Sequence, residues 1–394
     1  APGVATGPVA PIPRRGHGDA PRKLPAWNRP TALPLSDRAD RSMAPPRHRP
    51  RHRSTALVAR TVLVAKTVLV AMLALLVGAC SNDDTSSATD RADRSSSTTS
   101  TPTPDASTVA EVLALDRPVV LAHAGGDDIH PHDTPFGFDR SAAAGVDVLD
   151  MDVQLSSDGV LVVQHDDTVD RTTEAEGKVA DMTYEQLNAL DAAYWFTEGC
   201  TCTDRPEAEY VYRGVRTGDR PAPEGSSPDD FAITSFETIA TDHPDFVLNV
   251  EIKGTAPDAL PAAAELARLV DELDLTDRIV VTSFDDAVAE AFAAAAPGAT
   301  ITPGLGATSA YILGGTLPPA GRTILQVPPE YEGLEVVTAD RVATAHRDGL
   351  VLWVWPNDAE WENADGYAKL LDMGVDGLNA ADPVTALEVV RARR

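Results

Sequence analysis

From about residue 108 to the C-terminus, short apolar runs rich in Val, Ile and Leu alternate with segments of helical period. The runs are Val119–Ala122, Val146–Val153, Val160–Val163, Phe246–Ile252, Ile279–Phe284, Thr300–Leu305, Thr323–Val327, Leu350–Trp355 and Gly377–Asn379. Helices are predicted over Pro135–Ala144, Thr183–Leu190, Ala259–Glu272, Asp286–Ala296, Thr338–Asp348, Glu360–Met373 and Val384–Arg391. Strands rich in β-branched residues, separated by helices, predict a parallel sheet with right-handed crossovers. Setting aside the Val160–Val163 excursion leaves eight strands. The predicted α/β fold is therefore a (β/α)8, or TIM, barrel over residues 108–394.

Two regions break this alternation. Ala193 to Asp230 has no clean period and is long for a loop in a compact domain. With Tyr194, Trp195, Phe196, Tyr210 and Tyr212 it is expected to form a lid or a substrate wall. The N-terminal third reads differently again. Residues 1–55 are rich in Pro, Arg and His and are expected to be disordered or upstream of the mature protein, with Met43 as a possible start. Residues 56–80 read as an export signal. Its uninterrupted apolar core, Val68 to Ala79, is too short to span a bilayer. The signal ends on Gly78-Ala79-Cys80, which resembles a bacterial lipobox, with Cys80 as the lipidated residue. Residues 81–107, mostly Ser, Thr and Asp, read as a solvated linker. The expectation is an extracytoplasmic protein anchored to the bacterial cell membrane as a lipoprotein.

Charge narrows the partners. Residues 1–79 hold 13 Lys and Arg against 3 Asp and Glu, leaving 20 against 57, a net −37, on the rest of a chain whose total is −27. A body this acidic lacks the basic footprint that nucleic acid needs, so no nucleic-acid partner is expected. Three cysteines are too few for a disulfide framework. Cys200 and Cys202, one residue apart, are compatible with a disulfide or with two thiols, and no function follows from them.

Chemistry concentrates where strands end. Asp150 and Asp152 are two apart on one strand and share a face, opposite Leu149, Met151 and Val153. Such a pair can share a cation. His123 and His165 each follow an apolar run. Paired carboxylates flanked by two histidines suit metal-assisted acid–base chemistry on a phosphate ester. Glu251 and Lys253, also two apart, close another strand and point into the same space; the lysine is a natural phosphate contact.

These residues resemble the glycerophosphodiester phosphodiesterases, the phospholipase-C-like type of barrel. The family's His-Arg-Gly and Pro-Glu-Asn-Thr correspond to His123-Ala124-Gly125 and Pro131-His132-Asp133-Thr134, and its Glu-Leu-Asp-Val to Asp150-Met151-Asp152-Val153. Ser157 to Thr173, Glu251-Ile252-Lys253 and Gly374-Val375-Asp376-Gly377 follow in the family's order. The resemblance implies metal-dependent hydrolysis of glycerophosphodiesters to glycerol phosphate and an alcohol. Asp150, Asp152 and Glu251 would hold a divalent cation, Mg²⁺ or Ca²⁺. His123 and His165 would be the acid–base pair. Trp353 or Trp355 would wall the glycerol pocket, the other packing in the core.

Several residues depart from the family pattern. Ala124 replaces an arginine that meets the phosphate, His132 replaces a glutamate, Asp133 replaces an asparagine, and Asp150 is one methylene shorter than the usual glutamate. His132 could restore a cation near the phosphate or be an ordinary loop residue. Two other readings stay open: a phospholipase-D-like lyase acting on lipid head groups, and a catalytically weak binder of phosphate-bearing ligands.

Overall fold

The computed structural model describes residues 103–393. Cys80, the export signal and nearly all of the expected linker lie outside the described residues. Among the described residues no helix is long and apolar enough to cross a membrane.

Eight parallel strands form a barrel that nearly closes on itself. They are β1 (Val119–Ala122), β2 (Val148–Leu155), β4 (Val247–Ile252), β5 (Ile279–Thr282), β6 (Thr300–Ile301), β7 (Ile324–Val327), β8 (Val351–Val354) and β9 (Gly377–Ala380). β3 (Leu161–Val163) pairs antiparallel with the end of β2 and stands outside the ring. The order around the sheet is 6-5-4-2-1-9-8-7. Six of the expected strands are shorter than the apolar runs suggested. The clearest case is β6, which stops after Ile301; Pro303 has no N–H to give to the ladder, and helix Leu305–Gly314 starts at once with Gly304 as its N-cap. Helix Ala364–Asp372 starts later than expected because the Asn363 side chain accepts from the N–H groups of Asp365 and Gly366. Helix Phe236–Asp242, capped by Ser235, is seven residues long and gave too little periodicity to be read.

Side chains alternate across the barrel wall. Leu149, Met151, Val153, Leu248, Val250 and Ile252 point outward into the core shared with the helices. Val119, Leu121, Val148, Val247, Val280, Ile324 and Trp353 point inward and plug the bottom. A short helix, Val109–Leu113, closes that end: Val109 and Val112 join the same plug, together with Ala106, just inside the expected linker.

Trp353 fits only because its register neighbour on β9 is Gly377. A Cβ there would lie 2.6 Å from Trp353 Cδ1 and 2.8 Å from Val119 Cγ2. Gly377→Ala is therefore expected to destabilise the domain by about 1–3 kcal/mol through overpacking. A thermal melt that matches the wild type would refute this.

The Ala193–Asp230 segment has its own small core. Phe136, Phe196, Tyr212 and Phe231 pack ring against ring. The Arg213 guanidinium lies over Tyr194, Trp195 and Tyr210 at 4.3, 4.5 and 3.7 Å. Cys200 and Cys202 are joined in a disulfide.

Candidate active site

The polar residues of the barrel sit above the apolar plug in two levels, set by the two-residue period of the strands. The lower level holds Asp150 of β2, Asn249 of β4, Gln326 of β7 and Asn379 of β9. The Asn249 amide donates to Asp150 Oδ1 and, at 3.1 Å, to Gln326 Oε1; Gln326 donates back over 2.6 Å. Burial raises the Asp150 carboxyl to about 6, against the pull of His123 and the hydrogen bonds of Asn379 and Asn249.

The upper level holds Asp152 and Glu251, register neighbours on β2 and β4. Lys253 reaches between them, with Nζ 2.9 Å from Glu251 Oε1 and 3.4 Å from Asp152 Oδ1. Burial alone would raise the Asp152 carboxyl, but Lys253 and the nearby histidines outweigh it and hold it below the usual range. Glu251 goes the other way: burial dominates, and its carboxyl is raised. Asp152 and Glu251 thus stand together at the C-terminal mouth of the barrel, where barrel active sites are built, but among the described residues the three predicted acids do not form one close ligand group. Asp150 lies one step deeper than the other two.

His123 follows β1 directly. The chain then turns through left-handed Ala124, Gly125 and Gly126, with φ of 45°, 79° and 89°. That turn folds the next ten residues back over the mouth. Asp133 N donates to Ala124 O at 2.9 Å. Thr134 then caps helix Pro135–Ala144, accepting from Gly137 N, with Pro135 in the first turn.

His123 Nδ1 lies 2.8 Å from Asp127 Oδ1. Burial opposes charging of this imidazole, yet Asp127, with help from Asp150 and Asp152, raises its pKa well above the ordinary value. His165 follows β3, and its Nδ1 lies 2.6 Å from Asp166 Oδ1. Arg171 holds that carboxylate through Nε at 2.6 Å and Nη2 at 3.2 Å. The Gln154 amide donates to the carbonyls of Gln164, His165 and Asp166 and clamps the backbone under the ring. In both pairs a carboxylate beside Nδ1 favours a proton on that nitrogen.

His132 stands between the two. Its ring centroid is 6.4 Å from that of His123 and 5.7 Å from that of His165. The loop therefore aims His132 into the site. The tryptophans separate by height: Trp353 is 2 % exposed and belongs to the plug, which corrects its assignment as a substrate contact. Trp355, one pleat higher, packs edge-on to Phe284 at 5.9 Å, and the Phe284 ring lies 6.0 Å from Lys253 Nζ. Trp355 is half-buried.

Several site residues were not singled out from the sequence. Asn249 carried a usable signal, being two residues before Glu251 and so on its face. Asp133 carried one too, standing in the Pro131–Thr134 motif; Asp127, Gln326, Asn379 and Glu362 did not. Glu362 is half-buried near His123, accepts from the Tyr367 hydroxyl and from Ala381 N, and is raised to about 8 chiefly by desolvation.

The sequence signature of the glycerophosphoryl diester phosphodiesterase family matches residues 123–385. The chain belongs to that family. It is similar to a glycerophosphodiester phosphodiesterase of Caldanaerobacter subterraneus, 28 % identical over 275 residues, covering 70 % of this chain and 98 % of the relative. A shorter stretch of 92 residues is 35 % identical to human glycerophosphodiester phosphodiesterase 1, covering 23 % of this chain and 28 % of that one. Among solved structures, the glycerophosphoryl diester phosphodiesterase domain of a Mycobacterium tuberculosis protein superposes with a TM-score of 0.55 at 20 % identity, covering 71 % of this chain and all of that domain. A putative family member from Silicibacter pomeroyi gives 0.53 at 23 % identity, covering 71 % and 95 %. The structural likeness carries the barrel fold. Family membership carries the reaction class: the chain is a phosphoric diester hydrolase.

Proposed function

We propose that this family member hydrolyses glycerophosphodiesters to glycerol phosphate and an alcohol, using a divalent cation and the His123/His165 pair. The observation that carries the reading is two Asp-held histidines at the barrel mouth where Asp152 and Glu251 stand together, with Asp150 one step deeper. The residues fit a hard cation: the three proposed ligands are carboxylates, and Asn379 Oδ1 is a buried acceptor with no hydrogen-bond partner among the described residues. A bound Mg²⁺ or Ca²⁺ would polarise a phosphoryl oxygen. The chain's own groups do the rest. One histidine takes the proton of the attacking hydroxyl and the other protonates the leaving oxygen. Lys253 neutralises Asp152 and Glu251 and stands ready for the phosphate. Trp355 and Phe284 wall the carbon skeleton.

Release of glycerol phosphate from glycerophosphocholine, with and without chelator, tests the reading. Loss of release on chelation and recovery with Mg²⁺ or Ca²⁺ is expected. Full activity in chelator would end the metal-dependent proposal, and a cyclic phosphate as final product would mark the lyase chemistry instead.

The proposed location is the outer face of the cell membrane, through a lipid on Cys80. The apolar run into Gly78-Ala79-Cys80 supports it. The Cys200–Cys202 disulfide suits an oxidising compartment. Metabolic labelling with palmitate, compared between wild type and Cys80→Ala, decides it; wild-type protein without label would end the lipoprotein reading.

A further inference from the structure

A second set of donors lies beside the first. His132, Asp133 and Asp152 each offer one ligand atom, and the three atoms all lie within 4.8 Å of one another. The residues are buried, at 6, 2 and 5 % exposure. Asp133 is the informative member. Neither of its carboxylate oxygens has a hydrogen-bond partner, and neither is accessible to solvent. Buried carboxylates are ordinarily hydrogen-bonded or bound to an ion, because an unsolvated, unpartnered charge is among the most unfavourable groups a fold can hold.

The neighbouring cations do not resolve this. Arg171 is engaged by Asp166, and Lys253 by Glu251 and Asp152. His132 Nδ1 stands 3.1 Å from Asp133 Oδ2 as the ion-pair partner of that oxygen, which leaves Oδ1 buried with none among the described residues. That spacing matches two ligands of one ion: donors about 2.1 Å from a metal, at a right angle, lie ~3 Å apart. On the far side of the ring, His132 Nε2 is 3.9 Å from Asp127 Oδ2, the place of the outer carboxylate that orients a metal-bound histidine.

We propose that His132, Asp133 and Asp152 form a second cation site in this chain, sharing Asp152 with the acidic site. One imidazole and two carboxylates favour Mn²⁺, Co²⁺ or Zn²⁺ over Mg²⁺ or Ca²⁺. The site lies between His123 and His165, where the substrate phosphate must sit. An ion there supplies the positive charge that Ala124, in place of the family's arginine, does not. His132 then serves the phosphate through a metal instead of by its own charge. The inference rests on the metal-dependent reading of the acidic site.

Metal-stripped protein titrated with Mn²⁺ alone, followed by electron paramagnetic resonance and equilibrium dialysis, tests it. Wild type is expected to bind two equivalents and to show spin coupling, since ions sharing a carboxylate lie about 3.5–4 Å apart. His132→Gln and Asp133→Asn should each bind one equivalent, uncoupled, with the second weakened at least tenfold. Asp133→Asn is the decisive variant for folding: asparagine tolerates the left-handed φ of 56° at this position. Asp150→Asn should lose the other equivalent and retain the one that depends on Asp133. A wild type that binds one equivalent, lost in Asp150→Asn and unchanged in Asp133→Asn, overturns the second site and leaves the proposed function standing; His132 and Asp133 are then a bare ion pair. Protein that binds no Mn²⁺ overturns both.

Discussion

Asp152→Asn is expected to abolish metal-dependent turnover, with a loss well beyond the about 10–100-fold typical of changes that only support a metal ligand. The reason is its position. Asp152 neighbours Glu251 in the sheet register, shares Lys253 with it, and lies within ligand distance of His132 and Asp133. Of the three predicted acids, Asp152 is the one that belongs to the His132–Asp133 group among the described residues. An amide keeps the shape but removes the anionic charge that a hard cation requires. The fold should survive, because the carboxylate lies above the apolar plug and its strand neighbours on the outer face are untouched. Lys253 keeps Glu251 as its partner. The measurement is turnover and cation affinity side by side with a thermal melt. A variant with wild-type affinity and rate would remove Asp152 from the metal site; a collapsed melt would show that the residue is structural.

His123→Ala and His165→Ala should each lower turnover by about 10²–10⁴-fold, the usual contribution of a positioned acid or base. The double variant should lose less than the product of the two, because the pair acts on one reaction. Each ring is held by its own carboxylate, Asp127 or Asp166, through Nδ1. The leaving group separates their roles. A substrate whose leaving group is a nitrophenol needs no proton donor, so the variant lacking the acid should recover most of its rate with it. The variant lacking the base should not. A single variant that turns over glycerophosphocholine at the wild-type rate has lost nothing catalytic, and that histidine drops out of the mechanism.

Much of the barrel was legible in the chain. The first strand and the helix after the catalytic loop fall where the apolar runs and Thr134-Pro135 put them. The carboxylate pair was legible for the same reason, since a strand alternates faces whatever surrounds it. Height within the barrel was not. Trp353 and Trp355 have the same parity, and only the pairing of Trp353 with Gly377 sinks one into the plug and leaves the other at the mouth. The Asn249–Gln326 contact joins residues 77 apart and depends on how the strands stagger around the ring.

His132 shows where local reading ends. Its identity, and its place in a motif, are in the sequence; its direction depends on three successive left-handed residues at 124–126 and a fourth at Asp133. The chain by itself determined the periodicities, and with them the strands, the helices and the face each carboxylate takes, because those follow from bonds a few residues long. Only the tertiary structure decided which side chains share a level of the barrel. It alone shows that Asp127 and Asp166 orient the two histidines toward one space, and that Asp133 is shut away from water, because burial and long-range contact belong to the closed barrel and not to any segment of it.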